Sequence, residues 1–239
     1  MPNCTNCHTE VSQKYCGNCG QAVVLKRIDG HYIAHEIEHV LHFERGILYT
    51  VKELLIAPGK TVRNFIDEDR SRLVKPIIFI IITSLIYSVV NHFFHIEEGY
   101  MQFKEEHKST TGYIFKWVQD HYGYGNIIMG IFIALWIKIF FRKHKYNFFE
   151  ILILLCFIIG MGMLIFTVFA IAQGISHIKL MQYGGCLGII YCAWGIGQFF
   201  EKRKIGSYVK AFFAYAFGMI TFMLVALAVG TTIDMFIKH

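Results

Sequence analysis

The stretch that decides the fold is residues 74–94, with the sequence VKPIIFIIITSLIYSVVNHFF. A helix needs about 20 consecutive apolar residues to cross the roughly 30 Å hydrocarbon layer of a membrane, and this stretch supplies them. Pro76 falls in the first turn, where the missing backbone N–H of proline is not needed for an intrahelical hydrogen bond. Residues 74–94 are therefore predicted to form a membrane-spanning helix.

Four further apolar stretches predict four more spans, and the composition of the whole chain agrees with them. Hydrophobic residues make up 55% of the 239 residues and charged residues 17%, whereas soluble domains average about 45–50% and 25%. We therefore predict an all-α polytopic membrane protein in which residues 74–239 form a five-helix transmembrane bundle. The predicted spans are residues 74–94, 126–141, 148–175, 180–200 and 211–237.

The distribution of Lys and Arg predicts the orientation of these spans. Of the 23 basic residues, 18 fall in the N-terminal arm and in the turns after the second and fourth spans, and five fall on the other side. Cytoplasmic loops carry the excess of positive charge, so the N-terminus is expected in the cytoplasm and the C-terminus outside it. Cations beside anionic lipid headgroups then explain the formal net charge of +6. Membrane lipids are predicted partners, and nucleic acid is not.

Residues 1–25 contain four cysteines in the pattern C-x2-C-x8-C-x2-C, at Cys4, Cys7, Cys16 and Cys19. Four thiolates in two close pairs suit a closed tetrahedral zinc site. We predict a small zinc-ribbon-like module held by a structural Zn2+. Two disulfides are an alternative that a reducing cytoplasm disfavours. An iron or iron–sulfur centre on the same ligands stays open.

Residues 26–73 are predicted to form amphipathic juxtamembrane helices, a collar on the cytoplasmic side of the bundle. Within this collar, a turn at residues 57–60, which include a Pro-Gly pair, separates the apolar residues 47–56 from the charged residues 61–73. On the other side of the membrane, the aromatic side chains of the loop over residues 95–125 predict a helix lying at the outer interface. Short surface helices are thus expected on both sides.

A histidine-rich helix in the collar is a second candidate metal site. Residues 35–39, HEIEH, match H-E-x-x-H, in which two histidines bind zinc and the glutamate, here Glu36, is the general base of a hydrolase. The charged Glu38 inside the motif and the lack of a clear third ligand count against this chemistry. The face itself carries four histidines at helical spacing, and the alternative ligand set is His35, His39 and His42, with His31 one turn before them.

The predicted fourth span is rich in glycine. Gly184 and Gly188 have the small-xxx-small spacing that lets membrane helices approach closely, which predicts a homo-oligomer formed through this span. Ionisable residues mark most transport pathways, and they are scarce inside the predicted spans. This scarcity argues against a proton-coupled transporter.

Several short motifs occur together between about residues 4 and 80. They are YCGNCG at 15–20, KRI at 26–28, His39, ERG at 44–46, Thr50, KELL at 52–55, PGK at 58–60, Arg70 and Pro76. Together they resemble an uncharacterised family of Bacteroidota multi-pass membrane proteins that carry an N-terminal zinc-ribbon-like motif. The resemblance implies a bacterial inner-membrane protein, and it implies no established activity.

The preferred functional interpretation is an integral inner-membrane scaffold or adaptor that offers its zinc module and collar to a cytoplasmic protein partner. Two alternatives are kept: a membrane-bound metal-dependent hydrolase with Glu36 as base, and a small-solute or lipid transporter or pore. Outside the hydrolase alternative, the sequence predicts no catalytic residue, and it predicts no residues for an organic cofactor. The question of enzymatic activity stays open, with a non-enzymatic role preferred.

Overall fold

The computed structural model describes residues 46–70, 72–94, 96 and 110–237, together with residues 4, 7, 9, 10, 14 and 16–19 near the N-terminus. The chain divides into two compact units, Met1–Glu44 and Arg45–His239. In the described part of the second unit every regular element is an α-helix. The all-α prediction is confirmed for this part of the chain.

The described part of the second unit contains two short helices, then the long apolar ones, with one more short helix between the first two long helices. That additional helix lies in the predicted outer loop, where a surface helix was expected. The helices are α1 (Ile47–Ile56), α2 (Pro58–Asp67), α3 (Pro76–Phe94), α4 (Thr110–Asp120), α5 (Tyr122–Phe140), α6 (Phe148–Ser176), α7 (Met181–Glu201) and α8 (Ile205–Ile237).

Four of the described helices, α3, α5, α6 and α8, are long and apolar enough to cross a membrane. They correspond to the first, second, third and fifth predicted spans, as expected for a multi-pass membrane protein. Helix α5 begins at Tyr122 rather than at residue 126, and α8 begins at Ile205 rather than at residue 211, because the less apolar residues before each predicted span also adopt the helical conformation. The predicted fourth span forms α7, whose glycines and glutamines make it less apolar than the other four.

Helix α6 lies at the centre of the bundle and packs against α3, α5 and α7. A helix that is hydrophobic on all sides is typical of a buried position or a membrane span, and 67% of the most apolar 18-residue window of α6 is buried. A capping box fixes its first residue: the Asn147 side chain accepts from the Glu150 N–H at 2.9 Å, and the Glu150 carboxylate accepts from the Asn147 N–H at 2.7 Å. Inside the bundle, the rings of Phe79 and Phe157 pack 5.7 Å apart.

The outer helices α3 and α8 bury only a minor part of their apolar surface against the protein. Large side chains such as Phe93, Met223 and Phe236 are exposed along them. A soluble protein would have a patch of this size covered by a partner, whereas in a bilayer the same side chains face lipid. The burial pattern therefore agrees with the apolar composition of these helices.

The glycines of α7 are contacted by neighbouring helices of the same chain. Gly184 faces Phe169 and Gly188 faces Phe166, both on α6, while Gly197 faces Tyr208 on α8. Small residues let helix backbones approach closely, and here the approach joins α7 to α6 and α8. Homo-oligomerisation through this helix stays a prediction.

Polar side chains link several of the helices outside α1 and α2. Asn126 on α5 donates to the Ser84 hydroxyl on α3 at 3.1 Å, and Trp136 on α5 donates to the Thr221 hydroxyl on α8 at 2.9 Å. At the end of α8, the Asp234 carboxylate accepts from the backbone N–H of Thr110 at 2.9 Å. An acidic group at a helix N-terminus satisfies a free amide and complements the helix dipole, so Asp234 fixes the start of α4.

Candidate functional site

The four N-terminal cysteines converge on one point. The sulfur atoms of Cys4, Cys7, Cys16 and Cys19 all lie within 4.8 Å of one another. The Cys4–Cys19 and Cys7–Cys16 sulfur pairs are each 3.5 Å apart. Sulfurs bound to one tetrahedral zinc at about 2.3 Å are about 3.8 Å from each other, whereas disulfide sulfurs are about 2.05 Å apart. The spacing suits a metal centre better than two disulfides.

Local backbone contacts and a neighbouring hydroxyl prepare this cluster for a metal. Cys4 and Cys16 are buried, and the Cys4 N–H donates to the Thr9 carbonyl at 2.9 Å, which closes the first loop. A hydrogen bond from the Thr9 hydroxyl, aided by the Thr9 backbone and by the Cys19 and Cys16 thiols, lowers the pKa of Cys7 to about 5. The thiolate is the form that binds metal, so the donor set fits zinc, and four sulfurs leave no coordination position open.

The alternative metal site falls outside the described residues. Glu36, His35, His39 and His42 belong to the stretch between residues 20 and 45, for which the structure gives no placement. The hydrolase interpretation therefore stays a prediction, as does the identity of the metal on the four cysteines.

The short helices α1 and α2 dock onto the end of α7. The side-chain oxygen of Gln198 accepts from the backbone N–H of Gly59 at 2.7 Å and of Lys60 at 3.4 Å. The first N–H groups of a helix have no partner within it, and Gln198 satisfies two of those of α2. Proline at the first helical position is favourable, so α2 begins at Pro58, and the turn predicted at residues 57–60 is reduced to Ala57.

The contact is reciprocal, because α2 also caps the C-terminal end of α7. The guanidinium of Arg63 donates to the carbonyl oxygens of Gln198, Phe199 and Phe200. These belong to the last four carbonyls of α7, for which the helix itself has no N–H donor. The positive charge of Arg63 is also favourable at the C-terminal end of a helix. Each helix thus satisfies the end groups of the other.

Further hydrogen bonds hold the α1–α2 pair in place. Tyr191 on α7 donates to the Leu54 carbonyl of α1 at 2.9 Å, and the Val74 N–H donates to the buried Thr50 hydroxyl at 3.2 Å. Between α5 and α6, Tyr146 donates to the Asp67 carboxylate at 3.1 Å. Burial and this carboxylate raise the pKa of Tyr146 to about 12, so the phenol keeps the proton that it donates.

No local pattern in the sequence indicates these contacts. Gln198 and Tyr191 lie in a stretch that is predicted only as a span, and Arg63 is one of several charges in the predicted juxtamembrane collar. A signal was present for Gln198, since a glutamine within an apolar helix usually has a hydrogen-bond partner. Nothing in the sequence identified that partner as the start of α2.

A cavity of about 320 Å³ lies between α1 and α2. Its walls include apolar side chains such as Ile56, Phe65 and Leu73, and charged groups of both signs stand among them. All of its lining residues lie between residues 49 and 73, so no residue of the long helices lines it.

The four helices that are apolar and long enough to cross a membrane are consistent with a helical, multi-pass membrane protein. Within it, residues 44–88 match the model of a family described as "Protein of unknown function (DUF3667)". The match covers α1, α2 and α3 as far as Ser88, and it contains Gly59, Arg63 and the whole lining of the cavity. No curated protein and no solved structure matches the chain. Similarity to an unknown-function family is confirmed, while affiliation with Bacteroidota stays a prediction.

Proposed function

We propose that the chain is an inner-membrane scaffold that presents the α1–α2 pair and the zinc module to a cytoplasmic protein partner. The observation that carries this proposal is the reciprocal capping of α2 and α7 by Gln198 and Arg63. Surface helices that only rest on lipid need no such bonds. A pair of helices tied to the bundle at both ends is a rigid platform, and rigid platforms suit the positioning of a partner.

Five spans are part of this proposal, although α7 is less apolar than the other four. Helix α7 has 21 residues, about 31 Å of helix, which is enough to cross the hydrocarbon layer. The chain segments that join α7 to its neighbours are short: residues 177–180 lead from α6, and residues 202–204 lead to α8. Helix α7 packs against both of these helices. Short connections favour antiparallel neighbours. About half of α7 is buried inside the protein, where glycine and glutamine are tolerated better than in lipid.

The orientation is proposed from the charges of the connecting turns. Arg142, Lys143 and Lys145 follow α5, and Lys202, Arg203 and Lys204 follow α7. With five crossings, both turns lie on the same side as α1 and α2, and the positive-inside rule assigns that side to the cytoplasm. The proposal assigns residues 1–25 to the cytoplasm as well, because the sequence predicts no span before residue 74.

The role of the metal in this proposal is structural. Four thiolates complete a tetrahedral shell, so a bound zinc has no position for water or substrate. A module of this size buries too little apolar surface to fold alone, and zinc binding supplies the free energy of folding. The cluster therefore supports a binding module rather than a catalytic centre.

A photocrosslinking experiment in cells tests the scaffold role. A photoreactive amino acid replaces the exposed Lys52 on α1, and a matched probe replaces the exposed Phe236 near the end of α8. We expect one discrete protein adduct from position 52 and lipid adducts alone from position 236. The protein adduct should be lost when Arg63→Met releases α2 from α7. An adduct that persists unchanged in Arg63→Met, or no protein adduct at position 52, would contradict the proposal.

A further inference from the structure

The cavity between α1 and α2 has the size of a small binding site and is not used by the scaffold role. Its volume of about 320 Å³ falls at the lower end of the roughly 300–1,000 Å³ range of ligand pockets. It combines apolar walls with a few charged groups, as such pockets do.

The cavity lies where a lipid headgroup would lie. Leu73 lines it, and the first apolar helix begins at Pro76, three residues later. A chain extends at most about 3.6 Å per residue, so Leu73 is within about 11 Å of that helix. Ile56 also lines the cavity and is 66% exposed, next to Leu55 at 54%. Exposed apolar side chains therefore lie at the cavity and beside it, close to the start of the first apolar helix.

The charges of the lining favour a ligand that carries both signs. Glu53, Glu68 and Asp69 supply carboxylates, and Lys60 and Arg72 supply cations. A purely anionic headgroup would meet an excess of carboxylates, and a purely cationic group would meet two cations. A zwitterion can approach opposite charges at each end.

The type of positive charge is indicated by the carboxylates of the lining. The Nε of Arg72 donates to the Tyr49 hydroxyl at 2.7 Å, and the guanidinium lies 5.6 Å from the centre of the Tyr49 ring, so Tyr49 positions Arg72 at the cavity. A quaternary ammonium has no N–H to donate to the carboxylates. A primary ammonium instead offers three N–H donors to carboxylates. The lining is thus better suited to a primary than to a quaternary ammonium.

We propose that this cavity binds the phosphoethanolamine headgroup of a membrane phospholipid. Arg72 contacts the phosphate, since a guanidinium held in one orientation gives the geometry for phosphate oxygens. Glu68, four residues before Arg72 at the same end of α2, accepts from the ammonium. The inference rests on the membrane placement in the proposed function and is independent of any protein partner.

The test measures lipid binding to the full chain in detergent by native mass spectrometry. The probes are short-chain phosphatidylethanolamine, phosphatidylcholine and phosphatidylglycerol with identical acyl chains, together with soluble phosphoethanolamine. We expect one site at which phosphatidylethanolamine binds at least tenfold tighter than the other two lipids. Glu68→Gln and Arg72→Gln should each weaken this binding by about tenfold, the effect of losing one charge-assisted hydrogen bond.

Matched variants and a folding control make the result decisive. Glu201→Gln and Arg203→Gln change the same residue types at the α7–α8 turn, outside the cavity, and should leave the binding unchanged. Thermal melting without lipid shows whether each variant is folded. Equal binding of the three lipids, or binding that Glu68→Gln and Arg72→Gln leave intact in folded protein, overturns the proposal. It is also overturned if soluble phosphoethanolamine binds as tightly as the lipid.

Discussion

The side-chain oxygen of Gln198 accepts a hydrogen bond from the backbone N–H of Gly59 at 2.7 Å, across 139 residues of sequence. Gln198 lies in the last turn of α7, and Gly59 is the second residue of α2. Both residues are buried. The Gln198 side chain therefore connects the stretch that matches the protein family, residues 44–88, to a helix in the C-terminal half of the chain.

Replacing Gln198 with leucine should destabilise the protein. Two amides at the start of α2 would lose their acceptor in a buried place, and leaving buried donors unsatisfied costs about 1–3 kcal/mol. The measurement is unfolding by SDS in mixed micelles, followed by circular dichroism. Gln182→Leu is the control, because Gln182 is on the same helix and exposed. Equal stability of Gln198→Leu and Gln182→Leu would show that the bond does not hold α2.

Replacing Gly59 with alanine should separate α2 from α7. A Cβ at Gly59 would overlap the backbone of Gln198 and Phe199, and backbone atoms cannot turn aside as a side chain can. Overpacking of this kind costs about 1–3 kcal/mol. Limited proteolysis within α1 and α2 should increase.

Gly206→Ala is the matched variant for that experiment. A Cβ at Gly206 would meet no atom of the described residues within 4 Å, and alanine is the better helix former by about 1 kcal/mol. Gly206→Ala should therefore be neutral or slightly stabilising. If it is as sensitive to protease as Gly59→Ala, the effect at Gly59 is not due to the contact with α7.

Topology reporters should resolve whether α7 crosses the membrane. Fusions after Lys143 and after Lys204 should report the cytoplasm, and fusions within residues 105–112 and after Lys179 should report the outside. Lys179 and Lys204 flank α7, so they lie on opposite sides only if α7 is a span. The same readout at both positions would leave four spans and overturn the five-span proposal.

Metal analysis should find one zinc per chain, bound by the four N-terminal cysteines. Cys16→Ser should lower the zinc content well below one and expose the first 25 residues to protease, while the bundle stays folded. Cys186→Ser changes an exposed cysteine of α7 and should keep the full content. The double variant His35→Ala, His39→Ala should keep it as well. A second metal that is lost in the histidine variant would favour the hydrolase instead.

The long helices and the cysteine cluster could be predicted because both depend on local patterns. An apolar run of sufficient length is a helix in a membrane whatever surrounds it, and the spacing of two C-x2-C pairs predicts four cysteines that lie close together, as they do here. Helix α7 was predicted as a helix for the same reason. Its lower apolarity is explained by packing against another helix, since its glycines leave room for the side chains of Phe166 and Phe169 on α6.

The docking of α1 and α2 could not be predicted, because the residues responsible are distant in sequence. A Pro-Gly pair usually marks a turn, which is why the sequence predicts a turn at residues 57–60. In the structure Pro58 and Gly59 begin α2, and the backbone N–H groups of Gly59 and Lys60 donate to the side-chain oxygen of Gln198. The contact of Arg63 with the carbonyls of α7 is equally invisible in a local pattern. The sequence shows which residues can donate and accept hydrogen bonds, but it does not show which of them pair.

The bond between Gln198 and Gly59 also sets an order of assembly during synthesis. The ribosome completes α2 long before it reaches α7, and the amides of Gly59 and Lys60 have to remain with water until Gln198 arrives. A chain interrupted before residue 198 can insert its first spans and still lack the finished α1–α2 pair. The complete surface of the α1–α2 pair is therefore present only on chains whose translation has continued past α7, the fourth long helix.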